Sequence, residues 1–552
     1  MSEATPALPE NDIGQSHFDV TVVGTGLSES IAASCLAKQG LSVLHLDEHE
    51  YYGDRHASLT VDEMMQWVDR IQSSSSRYLQ ASYEFPSTQF QEQLGKVARQ
   101  YALSVFPTIL PARGDLIDLL IEEDVGKYVN FRLVDGVAIY QATQDEEQGS
   151  SGSWKRVPAG KDQIFKDSSL SLLEKRRLMK FIMFASSGKG FTQVEEDVDP
   201  LLRGKESQPI IEYLKSTFQL SDAPAATIAY GIAFCDGPSD PAGPALIRMN
   251  RYFRSIGRYG PSPFLVPQYG GIGEITQAFC RACAVHGGTY ILGSQGKISD
   301  LQVMKTAQED GGHPITFRIP AHHEPVTTDL LIDGGQLNLA RPSSGSQSPA
   351  GSTTPMQANC VAILQTLPAI VQAAFSTGQN RTETDDGESA EENIQDVMLM
   401  IFPPGSVSGG SQPAVRALLM GPETGSCPAD QFILYVQATM EESAKHPKET
   451  LFPYIDRLLG NQTADFIAYH ASRETHTPFV LPQEPQEGPE GQLPMQAHPE
   501  LSEGLDLEAR RAKEIMWRGL SAFPERLRDM AATNGEDTCH PGYMTCRYNS
   551  YA

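Results

Sequence analysis

No stretch of this 552-residue chain approaches the roughly 18 consecutive apolar residues of a membrane-crossing helix, so none is expected. The opening MSEATPALPEND is polar and acidic and lacks the apolar region of a secretory signal. The closing CRYNSYA carries no prenylation motif, so a lipid anchor of that kind is not expected either. Cysteine is scarce, at 8 residues in 552, which excludes the dense disulfide scaffold of a small secreted domain. One C-x-x-C pair exists, Cys280 and Cys283, with His286 three residues on. Residues 275–285 read as helix, which makes both thiols small residues on a helix face, and Cys539 and Cys546 are too widely spaced to form a second pair. No metal site and no redox centre is therefore expected. Basic residues are outnumbered, 43 Lys and Arg against 69 Asp and Glu, for a net charge of −26. That balance argues against nucleic acid and anionic membrane surfaces as electrostatic partners and serves solubility, with a bias toward partners with basic tails left open. The chain has no internal repeat, and no His/Cys or paired-acid constellation suggests a catalytic centre.

What is present is material for a large core, since 40% of the residues are apolar. The length suits about two to four domains. The most informative part is FDVTVVGTGLSESIAASCLAKQGLSVLHLDEHEYYGD, residues 18–54. An apolar strand at 18–23 runs into Gly24-Thr25-Gly26, a helix follows, and a second strand at 41–46 ends in Asp47. Strand, glycine turn, helix and ribose-type acid stand in the order and spacing of a dinucleotide-binding βαβ unit. The third glycine of G-x-G-x-x-G belongs at position 29, which is Glu29. A glycine there lets helix and strand close up beside a pyrophosphate, whereas a carboxylate repels phosphate at a helix N-terminus that would attract it. Gly24, Gly26, Glu29 and Asp47 are thus read as a vestigial dinucleotide motif, an FAD-type scaffold with a non-functional site and no cofactor.

Four further blocks carry a resemblance. LHLDEHEYYGD (44–54) resembles the HxDxxxYYGG segment of the family that holds Rab GDP-dissociation inhibitors and Rab escort proteins. RYGPSPFLVPQYGGIGEITQ (258–277), continuing into AFCRACAVHGGTY, is similar to a second family block, and EKRRLMKF (174–181) to a third. FPPG (402–405) with GSCP (425–428) is similar to a fourth. Within the family FCRACAV, FPPG and GSCP resemble the escort branch.

The fold class expected is α/β: a large discontinuous FAD-type βαβ domain with a smaller inserted all-helical domain. A flexible N-terminus (1–15) precedes the first part of the large domain (16–134), the helical domain (135–250) and the second part (251–480). Segments 341–357 and 376–392 read as disordered insertions, 481–503 as a disordered linker, and 504–552 as a C-terminal segment. Helices are expected at 168–185, 210–220 and 225–234, and a capping box at Thr60 and Glu63 opens another. Strands are expected at 289–292, 315–319, 329–332 and 360–364.

The resemblance implies a non-catalytic accessory subunit of geranylgeranyltransferase type II, cytoplasmic and transiently membrane-associated. It would bind Rab GTPases in the GDP state, present them to the alpha/beta heterodimer of Rab geranylgeranyltransferase, and carry the prenylated product to membranes. The runner-up is a dissociation inhibitor that recycles prenylated Rab, and the remote alternative a flavin-dependent oxidoreductase. The resemblance places the Rab-binding platform at Tyr52, Glu274 and Arg281, with Arg258 on the same matched surface. Asp54 stands where the family has a second glycine. Leu116, Leu119 and Leu120 are a candidate contact for the Rab tail; by spacing they also read as core. Met179, Phe181, Ile182 and Met183 are a candidate lipid pocket, in a helix too apolar for a single buried stripe, so either a core helix or a cavity wall.

Overall fold

The computed structural model describes residues 13–74, 78–142, 152–158, 164, 167–168, 170–188, 191, 198–303, 315–337, 356–376, 395–410, 413–441, 446–473, 479–481 and 504–523. The expected flexible and disordered segments lie outside these residues except at their edges. There, residues 356–357 and 481 belong to strands and 376 ends a helix.

Two sheets organise the chain. The first has the spatial order Thr289–Leu292, Val43–Asp47, His17–Val23, Val326–Asp333, Ile315–Arg318, Ser299–Val303, with Phe479–Leu481 also pairing to Val326–Asp333. The first four strands run parallel, and the chain then turns back antiparallel. The βαβ unit is as expected: strand His17–Val23, helix Leu27–Lys38, strand Val43–Asp47. That helix is buried along nearly its whole length and rich in Ser and Ala, whose small side chains let neighbouring elements close on all sides. Helices Asp115–Glu122, Ile272–Val285 and Gly504–Ser521 share a core with it.

The second sheet has eight strands in the order Tyr78–Glu84, Phe466–Arg473, Met356–Leu364, Phe432–Met440, Val415–Met420, Val397–Phe402, Gly136–Gln141, Ser153–Arg156. Most of it was not expected, because its middle strands are buried on both faces. Leu399 and Ile401 enter one core while Met398, Met400 and Phe402 enter another. A run such as VMLMIF therefore shows no alternation, and a short continuous apolar run does not reveal its period.

The helical unit needs correction at both ends. Residues from 135 do not open a helical domain: Gly136–Gln141 and Ser153–Arg156 are strands at one side of the second sheet. The helices are Leu172–Ser187, Ile210–Phe218, Asp222–Gly231 and Ala242–Ser255, so the last runs past 250. They pack on the sheet and share a core with Val361, Leu399, Ile401 and Tyr435. Among the described residues the helical part is a layer on a common sheet. The capping box at Thr60 forms as expected: its Oγ1 accepts from Glu63 N–H at 3.3 Å, and Glu63 Oε2 accepts from Thr60 N–H at 2.8 Å. An equivalent box, Ser171 with Glu174, starts Leu172–Ser187.

Candidate functional site

At the end of the first strand Gly24 adopts φ +96°, a left-handed conformation that disfavours any side chain. Its N–H donates to Leu46 O, and His45 Nε2 donates to its carbonyl, each at 2.7 Å. Burial pushes the His45 imidazole down to about 4, so it stays neutral. Asp47 holds the turn from below. Its Oδ2 accepts from Thr25 N–H at 2.8 Å and Thr25 Oγ1 at 2.7 Å. Its Oδ1 accepts from His49 N–H and Nδ1, both at 2.9 Å, and from Gln336 Nε2 at 2.8 Å. Burial works to raise the Asp47 carboxyl, but the bonds and charge from His49 and the bond from Thr25 hold it below its ordinary value.

Glu29 is buried, and its carboxylate curls back over the turn. A Cβ on Gly26 would collide with Oε2, and one on Gly334 would stand 2.6 Å from Oε1. The room those glycines leave is thus taken by the chain's own acid, in the first turn of Leu27–Lys38, where negative charge is favoured. A dinucleotide would need that place for its pyrophosphate and Asp47 for its ribose, and both carboxylate oxygens of Asp47 are engaged. The residues present do not fit an FAD-type cofactor.

The expected platform lies next to this turn. Gly53 has φ +105° and Asp54 φ +47°, so the aspartate keeps the left-handed turn that a second glycine would give; Asp is among the few L residues that tolerate it. Tyr52 is half-buried, with its ring edge-on to Tyr290 at 6.0 Å. Glu274 sits in the first turn of Ile272–Val285, half-buried, and burial pushes its carboxyl up. Arg281, two turns on, is exposed, with its guanidinium 4.8 Å over the ring of Tyr128. Glu274 and Arg281 share a helix without an ion pair between them among the described residues. Arg258 is on the loop after Ala242–Ser255, 3.7 Å from Asp118 and over the ring of Tyr259.

Distant sequence blocks meet here. A Cβ on Gly273 would stand 2.9 Å from His56 O, so the helix start lies tight against the 54–56 turn. Gly270 N–H donates to Ser426 Oγ and Tyr269 N–H to Thr424 O, each at 2.9 Å. The sequence reading missed Tyr269, which is 51% exposed at φ +58° with its ring against Gly425. Its signal was a large polar aromatic beside two glycines in a loop that must turn.

Leu116, Leu119 and Leu120 correct an expectation. They are 0%, 3% and 2% exposed, packed with Leu505, Ala509 and Ala512 of Gly504–Ser521. Asp506 Oδ1 accepts from Leu116 N–H at 3.0 Å. These leucines are core in this chain and offer no surface to a partner's tail; Ile121 is the exposed apolar residue of that helix. The C-x-x-C thiols are buried and free, and burial pushes Cys280 up to about 12 and Cys283 to about 11, so both stay protonated.

In the helical layer a cavity of about 340 Å³ lies among Leu172–Ser187, Asp222–Gly231, Ala242–Ser255 and the residues after strand Ser153–Arg156. Leu178, Phe181, Ile182, Ile228, Phe253 and Ile256 line it, and Lys155 and Asp167, 3.4 Å apart, add a polar edge. Phe181 and Ile182 are therefore walls, as one reading of the sequence had it. Met179 and Met183 are not in the lining, and Met183 is 68% exposed. The helix buries a single stripe, Leu178, Phe181, Ile182 and Ala185, and Met183 points away from it. Ile228, Phe253 and Ile256 were not singled out from sequence, because Ile228 and Phe253 look like ordinary core residues of their helices and Ile256 only follows the end of one. No helix of the described residues is long and apolar enough to cross a membrane.

The family model described as GDP dissociation inhibitor matches residues 14–310. Among curated proteins, "Rab proteins geranylgeranyltransferase component A" of Saccharomyces cerevisiae is 30% identical over 423 residues, 76% of this chain and 61% of that protein. "Rab escort protein 1" of Arabidopsis thaliana is 27% identical over 86% of each. This chain thus spans less than two thirds of the yeast relative's length. Among solved structures, a Rab GDI from Plasmodium falciparum matches with a TM-score of 0.56 at 21% identity, over 83% of this chain and 90% of that one, a likeness of fold.

Proposed function

This chain belongs to the GDP dissociation inhibitor family, and from that premise we propose that it serves as an escort for Rab GTPases, a carrier and not an enzyme. It binds Rab in the GDP state, presents it to the alpha/beta heterodimer of Rab geranylgeranyltransferase, and shields the lipid on the way to membranes. It works in the cytoplasm, touches membranes transiently and uses no cofactor. The observation that carries this reading is the apolar cavity of about 340 Å³ in the helical layer. Burying a twenty-carbon chain is worth on the order of 10–16 kcal/mol, so a carrier must offer it an apolar slot. Small-molecule pockets usually measure about 300–1,000 Å³, a range in which this cavity falls.

The platform supports the protein-binding half. Arg281 presents an exposed planar fork already backed by Tyr128, and Tyr52 and the half-buried Glu274 supply aromatic area and an acceptor. Arg258, held by Asp118, adds a second guanidinium. The filled glycine turn speaks against flavin chemistry.

The test is an in vitro prenylation assay with catalytic heterodimer, unmodified Rab and labelled geranylgeranyl diphosphate. Transfer should require this protein and weaken when Tyr52 and Arg281 are replaced by alanine. Extraction of prenylated Rab from membranes without support of transfer would move the assignment to a dissociation inhibitor.

A further inference from the structure

We propose that His17, Asp19 and Asp329 form a binding site for a divalent transition-metal ion of the zinc class. The site lies at the end of the first sheet remote from the glycine turn. His17 opens the strand that Gly24 follows, about 20 Å away at the rise of an extended chain. One ligand atom from each residue lies within 4.8 Å of the other two, and His17 Nε2 is 3.6 Å from Asp329 Oδ2. All three are half-buried and stand on neighbouring parallel strands, fixed by the pairs Phe18–Thr328 and Val20–Leu330.

The hydrogen bonds around the triad choose the imidazole tautomer. The Thr327 hydroxyl donates to Ser16 O at 3.2 Å, so its lone pair accepts from His17 Nδ1–H, also at 3.2 Å. With Nδ1 engaged by Thr327, Nε2 is the ring atom turned toward Asp329. Ser42 orients Asp19, donating to Oδ2 from N–H at 2.6 Å and from Oγ at 2.7 Å. Each of these two ligands therefore has an outer partner that fixes it, as metal-ligating side chains usually do. One imidazole and two carboxylates without thiolate suit zinc, cobalt or manganese, and three protein ligands leave positions for water. The sequence hid the site because Asp329 is joined to the other two only by strand pairing.

The test uses the full-length protein, stripped with chelator and titrated with Co²⁺ read by visible absorption, then with Zn²⁺ by calorimetry. One ion per chain is expected. His17→Ala and Asp329→Asn should each weaken binding more than about 100-fold, as the loss of one ligand exceeds the effect of an outer partner. Thr327→Val keeps all three ligands but releases the tautomer, and should cost about 10- to 100-fold. Cys280→Ser should change nothing. Circular dichroism checks the fold, with His17→Gln as substitute if His17→Ala unfolds. Undiminished binding in the His17 variants overturns the site. So does an absence of binding at millimolar Co²⁺ with nitrogen NMR showing both His17 nitrogens protonated, which would make the triad an imidazolium ion pair only.

Discussion

At the glycine turn Asp47 accepts five hydrogen bonds and Glu29 fills the room over Gly26 and Gly334. In the helical layer, apolar side chains face a space of about 340 Å³ with one ion pair at its edge. The two regions are furnished in opposite ways. A polar site can be closed from within, because a carboxylate satisfies a helix N-terminus as well as a phosphate does. An apolar space cannot be closed by hydrogen bonds. Left empty it forfeits contacts and costs stability, and an apolar guest recovers them. The contrast separates a polar turn closed from within from an apolar space left open more clearly than either region does alone.

The contrast can be broken first from the cavity side. Ile182→Trp narrows the space; excluding about two methylenes of a guest at about 0.8 kcal/mol each forfeits about 1.6 kcal/mol, more than tenfold in affinity. Fluorescence titration with a geranylgeranylated peptide reads this, and thermal melting should show the fold intact. If the peptide binds as before, the cavity is not the lipid site. Next comes Leu119→Ala, under the first sheet's helices. As a buried core residue it should cost about 2–5 kcal/mol in urea unfolding, and the folded variant should bind Rab unchanged. A loss of Rab binding without loss of stability would restore the leucines as a contact surface.

Glu29→Gly opens the turn. Losing the acid at the helix start should lower stability by about 1 kcal/mol. The variant should remain colourless after incubation with FAD, because Asp47 stays engaged. A flavin absorbance near roughly 450 nm would mean that Glu29 alone excludes the cofactor through its charge at the helix N-terminus.

A last test concerns the platform loop. Asp396 Oδ1 accepts from Glu423 N–H at 3.1 Å and so caps the turn that holds Tyr269. Burial pushes its carboxyl up to about 6; nearby Asp135 and Glu423 add to this, while the Glu423 N–H and Arg132 oppose it. An acid whose pKa is higher folded than unfolded binds more protons in the folded state. Stability from this residue is therefore present at low pH and falls as pH rises from about 4 to about 6. Asp396→Asn should remove that slope from the unfolding free energy; an unchanged slope would assign it to another group.

Legibility in the sequence followed the kind of signal. The βαβ unit, Glu29, the capping box at Thr60 and Glu63 and the helical run at 174–181 were readable, because each is local. The middle of the second sheet was hidden by burial on both faces, and the C-terminal helix Gly504–Ser521 gave only a segment. Of the proposed lipid pocket, Phe181 and Ile182 were found where the structure has a cavity, while Met183 was misplaced because a strongly apolar helix conceals which side faces in. Leu116, Leu119 and Leu120 carried the stripe of a core helix, and only the partner helix from residues 504–521 decided that nothing remained exposed.

By itself the sequence determined the scaffold and the family, since glycine spacing, an acid at position 29 and ordered motifs are fixed by neighbours along the chain. Only the tertiary structure decided that Glu29 folds back over two glycines, one of them 305 residues away at Gly334. It alone joined four segments into a cavity and placed His17 beside Asp329. The reason is physical: conformational preference acts within a few residues, whereas enclosed space and convergent charge come from chain segments brought together by packing.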